Sequence, residues 1–210
     1  MKKIKLSTKI LSYLIDLIIV FTGVFSAFLL SDYQNNKAAK TRQEQLYIAI
    51  YEDLDRFQSS GTSEKGFIHF FEEFEKGMDS AVNKKSLQPI ARLHGDYWKI
   101  EIIRSMIASD VINDIDIKLF KRISRFNTVH QNFLDMIEDF NRFYENQVTT
   151  YYTRDLDQFY EENSNELKPK YQPILLYPKR MVEFSKLLVG LAEELKLEIQ
   201  DNYLPDDYEK

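Results

Sequence analysis

A chain of 210 residues, 44% hydrophobic and 14% aromatic, carries too much apolar surface for general disorder and is long enough for a domain with a real core. Its 33 acidic and 28 basic residues give a net charge of −5, and the acidic excess lies after residue 30; such a domain lacks the counterion-release drive of nucleic-acid binding. With no cysteine, disulfides, thiolate metal sites and cysteine nucleophiles are all excluded.

Residues 1–9 contain Lys2, Lys3, Lys5 and Lys9 and read as a short cytoplasmic head. Residues 10–30, ILSYLIDLIIVFTGVFSAFLL, form a 21-residue apolar run. As a helix this run spans about 31 Å, which matches the hydrocarbon core of a bilayer and predicts a transmembrane helix. Tyr13 and Tyr33 fall where interfacial aromatic belts lie. A cleaved signal peptide would have a shorter apolar region ending in small residues, so a retained anchor is the preferred reading. The lysines before the helix outweigh Lys37, Lys40 and Arg42 after it, which places the amino terminus on the cytoplasmic side.

Asp16 is the one acid before residue 31. Three positions inside Tyr13, it lies shallow enough to reach headgroups as a snorkelling interfacial carboxylate. Gly23 and Ala27 follow at seven and eleven residues, on nearly the same helix face. That face combines an acid with a small-xxx-small pair and is a candidate contact with another membrane helix. A proton-carrying Asp16 is the third reading.

Residues 31–203 are expected to form an extracytoplasmic all-α domain, an antiparallel bundle of four or five helices, with an acidic tail at 204–210 that frays. Residues 31–57 contain neither Gly nor Pro, and Leu46, Ile50, Leu54 and Phe57 repeat at helical spacing, so the membrane helix is expected to continue as a stalk. The run Ser59-Ser60-Gly61-Thr62-Ser63 should break it. Phe67, Phe70, Phe71, Phe74 and Met78 predict a buried face on the next helix. Residues 83–95 read as a connection, and Asp96 as the cap of a short helix over 97–108 with Trp98, Ile102 and Met106 on one face. Leu119, Ile123, Phe126, His130, Phe133, Ile137, Phe140 and Tyr144 alternate at spacings of four and three, the seam of a long packed helix, with Asn113 and Asp116 as a capping box before it. Met181, Phe184, Leu188, Leu191, Leu195 and Ile199 stripe the last helix, and Pro178 is placed in its first turn.

Chemistry-bearing motifs are absent. None of His69, His94 and His130 has Glu three residues earlier, so the paired Glu-x-x-His of di-metal bundles does not occur. His69 and Glu73 are one turn apart, which is ordinary for a surface histidine. His130 lies within an apolar seam and reads as a hydrogen-bonded core imidazole, for which leucine should substitute at a cost within about 1–2 kcal/mol. Adjacent acids such as Glu72-Glu73 and Glu193-Glu194 diverge by about 100° on a helix and read as solvated faces. No phosphate-binding loop, dinucleotide fingerprint, serine-hydrolase elbow or zincin motif occurs, and no cofactor or metal is expected.

The stretch 15–28, the exit Ser31-Asp32-Tyr33-Gln34-Asn35-Asn36 and the segment Leu46-Tyr47-Ile48-Ala49-Ile50-Tyr51-Glu52-Asp53-Leu54 resemble a family of small single-span membrane proteins of Bacteroidetes-type bacteria, whose function is uncharacterised. The similarity covers residues 12–58 well and 96–145 loosely; residues 103–110 lack a glycine that the family pattern carries. The resemblance implies topology and fold: a bacterial inner-membrane protein, single-pass, with a periplasmic carboxy-terminal domain. The functional expectation is a non-enzymatic interaction or scaffold subunit. Its partners are the lipid bilayer and a membrane protein or second copy met through Asp16, Gly23 and Ala27, with no nucleic acid. The alternative is a periplasm-facing subunit of an ion-driven motor or transport complex using Asp16.

Overall fold

A computed structural model describes residues 8–95, 98–109, 115–152, 156–205 and 208, and of residues 8–19 the helical backbone only. Among the described residues the regular structure is helical, apart from one isolated bridge between Tyr160 and Leu167. The main elements are α1 (Thr8–Thr62), α2 (Phe67–Asn83), α3 (Glu101–Ile107), α4 (Ile117–Tyr144) and α5 (Pro173–Asn202). The chain divides into two units, Met1–Gln45 and Leu46–Lys210.

In the first unit, Val20, Phe21, Val24, Phe25, Phe28, Leu29 and Leu30 are 52–69% exposed, and the rings of Phe21 and Phe25 stack at 6.1 Å. Among the described residues no helix is long and apolar enough to cross a membrane. Residues 10–19 of the apolar run lie outside the described side chains, and residues 20–30 alone are shorter than a span.

The second unit is built on three rods. Phe57 of α1 meets Phe126 edge-on at 5.5 Å, Phe71 of α2 meets Phe133 at 5.4 Å, and Phe74 meets Phe140 at 5.5 Å. Position rises together along both partners, so residues 46–62 and then α2 follow one another along α4 as a single interrupted rod. Along α5 the order reverses: Tyr47 packs on Tyr203, Asp55 pairs with Lys196 at 2.8 Å, and Glu72 pairs with Lys186 at 2.6 Å. Phe140 on Tyr177, with Arg122 on Glu198, sets α5 antiparallel to α4. The antiparallel arrangement therefore holds for α5 against the other rods, whereas α1 and α2 run parallel to α4.

Of the stretch 31–57 expected as a stalk, residues 46–57 belong instead to a core rod, with Tyr47, Ile50, Leu54 and Phe57 all buried. A stripe of this spacing is equally suited to a stalk and to a core, and the sequence has no third feature to separate them. The helix ends at Thr62, inside the run expected to break it. Ser60 Oγ donates to Phe57 O at 2.8 Å and Thr62 Oγ1 to Gln58 O at 3.1 Å, so the hydroxyls are satisfied within the helix. The chain turns at Gly66, where an added Cβ would lie 2.5 Å from Gly61 O and 2.7 Å from Ser60 O. Only glycine allows that approach.

α2 ends in a Schellman motif, with Ser86 N donating to Ala81 O and Lys85 N to Val82 O, and Lys85 itself taking a left-handed φ of 48°. In α4 every residue of the predicted seam is buried. Its cap is Asp116, whose carboxylate accepts from Lys118 N at 2.8 Å and Leu119 N at 3.1 Å; Asn113, Asp96 and Tyr97 lie outside the described residues. α3 begins at Glu101, later than expected, and buries Ile103 and Met106 while Ile102 is only half-buried. α5 starts at Pro173 and not near Pro178, which is buried inside the helix. Pro173 meets the first-turn requirement, since the first helical position needs no amide N–H and proline's fixed φ suits it.

Candidate binding groove

Where a four-helix bundle has its fourth helix, this domain has a non-helical, extended segment, described over residues 86–95 and 98–100. It runs antiparallel to α4: Gln88 is held by Tyr144, Leu93 by Asn141, and Trp98 by His130. An extended chain leaves its own amides and carbonyls unpaired, and burying them without partners is costly. The α4 seam supplies those partners. Tyr144 Oη donates to Gln88 O at 2.8 Å. Asn141 clamps Leu93 from both sides, accepting from its N–H at 2.9 Å and donating to its O at 2.7 Å. His130 Nε2 donates to Trp98 O at 2.7 Å. From the opposite direction Asp53 of α1, 3% exposed, accepts from Ile102 N at 3.1 Å and Ile103 N at 3.2 Å, capping α3 from another helix.

These buried groups have physically determined states. The Trp98 carbonyl can only accept, so the proton of neutral His130 sits on Nε2, and Nδ1 is a buried acceptor with no partner among the described residues. Burial pushes the His130 pKa down, and the nearby Arg104 charge adds to that. Burial pushes Asp53 up, against the pull of the Ile103 amide and Arg56. Burial also pushes the Tyr144 hydroxyl up to about 12, which keeps it a donor.

An extended chain is much thinner than a helix with its side chains. Substituting one for the other leaves a trough of about 860 Å³ beside α2, a volume suited to a small-molecule ligand. Its floor and walls are Phe67, Phe70, Phe74, Ile90, Leu93 and Trp98. Trp98 stands 5.5 Å from Phe67 and 6.3 Å from Phe70, and Phe70 stacks on Phe74 at 6.4 Å. Phe70, expected in the core, is 45% exposed because its face of α2 has no helix opposite. The polar lining is Ser60, Ser63, Lys65, Arg92 and His94; no acidic residue lines the groove among the described residues. Arg92 is ion-paired with Glu138 of α4.

Gly23 and Ala27 are exposed on α1, and a Cβ added at Gly23 meets nothing within 4 Å; the Asp16 side chain lies outside the described residues. Lys186 holds Glu72 below the usual carboxylate range, and Lys76 does the same for Glu73. Among the described residues there is no group of three or more metal-ligating side chains. Sequence reasoning passed over the groove because residues 83–95 read as a connection. The signal present was Leu87, Ile90 and Leu93, too apolar a set for a solvated loop. No family model matches the chain, and no curated protein or solved structure matches it.

Proposed function

We propose that this protein is a membrane-anchored, non-enzymatic binding subunit, held in a bacterial inner membrane by residues 10–30 and presenting its helical domain on the periplasmic side. The observation that carries the reading is the surface of α1 over residues 20–30. Seven large apolar side chains there are more than half exposed, and no residue of that stretch is charged. A water-facing helix sets charged and polar side chains opposite its apolar stripe; one with an apolar surface and no charged face belongs in lipid or in a core. The sequence before it continues the same apolar run to residue 10, completing the length of a span. The groove supports a binding role, since it is apolar with a few polar groups and holds no converging acid and base among the described residues.

The test is membrane extraction of the full chain. Native protein should stay with the membrane under alkaline carbonate washing, and Phe21→Lys/Phe25→Lys should be released. Release of the native protein ends the anchor reading. A reporter fused after Lys210 should be active only outside the cytoplasm, and cytoplasmic activity overturns the orientation.

A further inference from the structure

We propose that the groove between α2 and the extended segment binds a single-chain anionic amphiphile, a long-chain carboxylate, with its tail among the aromatic rings and its head on the basic rim. The chain as a whole is acidic, at −5, yet the groove lining carries Lys65, Arg92 and His94 and no Asp or Glu among the described residues. That local reversal of sign favours an anion. Glu138 neutralises Arg92 in part, which leaves Lys65, His94 and the hydroxyls of Ser60 and Ser63 as the other polar contacts of a head group. The apolar part of the lining, Phe67, Phe70, Phe74, Ile90, Leu93 and Trp98, suits a hydrocarbon tail. A peptide adding itself to the extended segment is disfavoured, because the carbonyls of Gln88, Leu93 and Trp98 and the Leu93 amide are already taken up by α4. The inference rests on the chain being a binding subunit and not on its anchor.

Trp98 is the single tryptophan of the chain and forms part of the groove wall, so its fluorescence reports on this site alone. The experiment uses the full chain in phosphatidylcholine nanodiscs, titrated with terminally brominated dodecanoate, whose bromine quenches tryptophan on contact. Saturable quenching is expected. Lys65→Gln/Arg92→Gln should weaken it by about threefold or more, and Phe70→Glu, at an exposed position, by about tenfold or more. Brominated dodecanol, with the same tail and no charge, should bind more weakly than the carboxylate. Equal quenching of both variants and the native chain, with circular dichroism unchanged, overturns the site. Equal binding of the alcohol overturns the anionic head group. Quenching by brominated phospholipid in the nanodisc, without added carboxylate, assigns the groove to membrane lipid and overturns the single-chain ligand. If Phe70→Glu fails to fold, the double variant and the alcohol still decide. Native protein retained in membranes but unquenched loses the ligand and keeps the anchor; protein quenched but not retained does the reverse.

Discussion

The Nε2–H of His130 reaches the carbonyl oxygen of Trp98 at 2.7 Å, so a side chain in the middle of α4 fixes the residue that forms a wall of the groove. This changes the expectation for His130→Leu. Leucine fills the volume but leaves the Trp98 carbonyl buried without a donor, at a cost of about 1–3 kcal/mol. Urea denaturation should show the loss, together with a shift in Trp98 emission. The native protein should also show a pH signature. The folded pKa of His130 lies below its ordinary value of 6.5, so the unfolded chain takes up the proton more readily. The neutral imidazole's stabilisation is complete above about pH 6.5 and is lost as pH falls through that value toward the folded pKa. His130→Leu should flatten the stability profile as pH falls through about 6.5. An unchanged slope there would show that another group titrates.

Asp53 is a cap supplied by a neighbouring helix. Asp53→Ala strips the Ile102 and Ile103 amides of their acceptor and Arg56 of its partner, and should cost about 1–3 kcal/mol. Asp53→Asn keeps an acceptor oxygen and escapes the burial cost of a charge, so it should cost less. Hydrogen exchange at the Ile102 and Ile103 amides gives the local readout: both should exchange faster in Asp53→Ala than in Asp53→Asn. Equal rates would mean that α3 is held by its apolar contacts alone.

The glycines separate into two classes that thermal unfolding can distinguish. Gly66→Ala drives a Cβ into two backbone carbonyls that cannot move aside without unwinding α1, and should destabilise by about 1–3 kcal/mol. Gly77 and Gly190 sit inside α2 and α5 with nothing within 4 Å of an added Cβ. Alanine at either should raise stability by about 0.5–1 kcal/mol, from helix propensity and a less flexible unfolded chain. A stabilising Gly66→Ala would show that the α1–α2 turn has room for a methyl group after all.

What the sequence revealed and what it concealed divide along one physical line. The α4 seam was legible in full, from Leu119 to Tyr144, because apolar residues at alternating spacings of four and three over that length suit a packed helix and little else. The same periodicity could not say that residues 46–62 belong to the core, since a stripe does not name its partner. Nor could it show that His130 and Tyr144 face an extended chain and not a fourth helix. The polar members of the seam were the clue. An apolar stripe packed on another helix has little use for His130, whereas one packed on extended backbone needs donors and acceptors. The groove was least legible of all: Phe70 looks like core by spacing, and its exposure follows from what is missing opposite it.

The membrane face yields the last prediction. Gly23 and Ala27 are exposed on α1 with open space at Gly23, so Gly23→Leu/Ala27→Leu meets no obstacle among the described residues of this chain. The double variant makes the segment more apolar, and membrane retention should be undiminished. What larger side chains prevent is close approach of a second helix backbone. Loss of association with a membrane partner or second copy, measured by crosslinking in native membranes, is therefore the expected outcome. Asp16→Asn then separates docking from proton transfer. Asparagine keeps the size and hydrogen bonding of the side chain but cannot ionise. A docking contact should largely survive it, whereas an ion-driven motor using Asp16 should stop. Wild-type behaviour of Asp16→Asn in cells removes the motor alternative. If Gly23→Leu/Ala27→Leu also leaves crosslinking unchanged, residues 10–30 serve as an anchor alone.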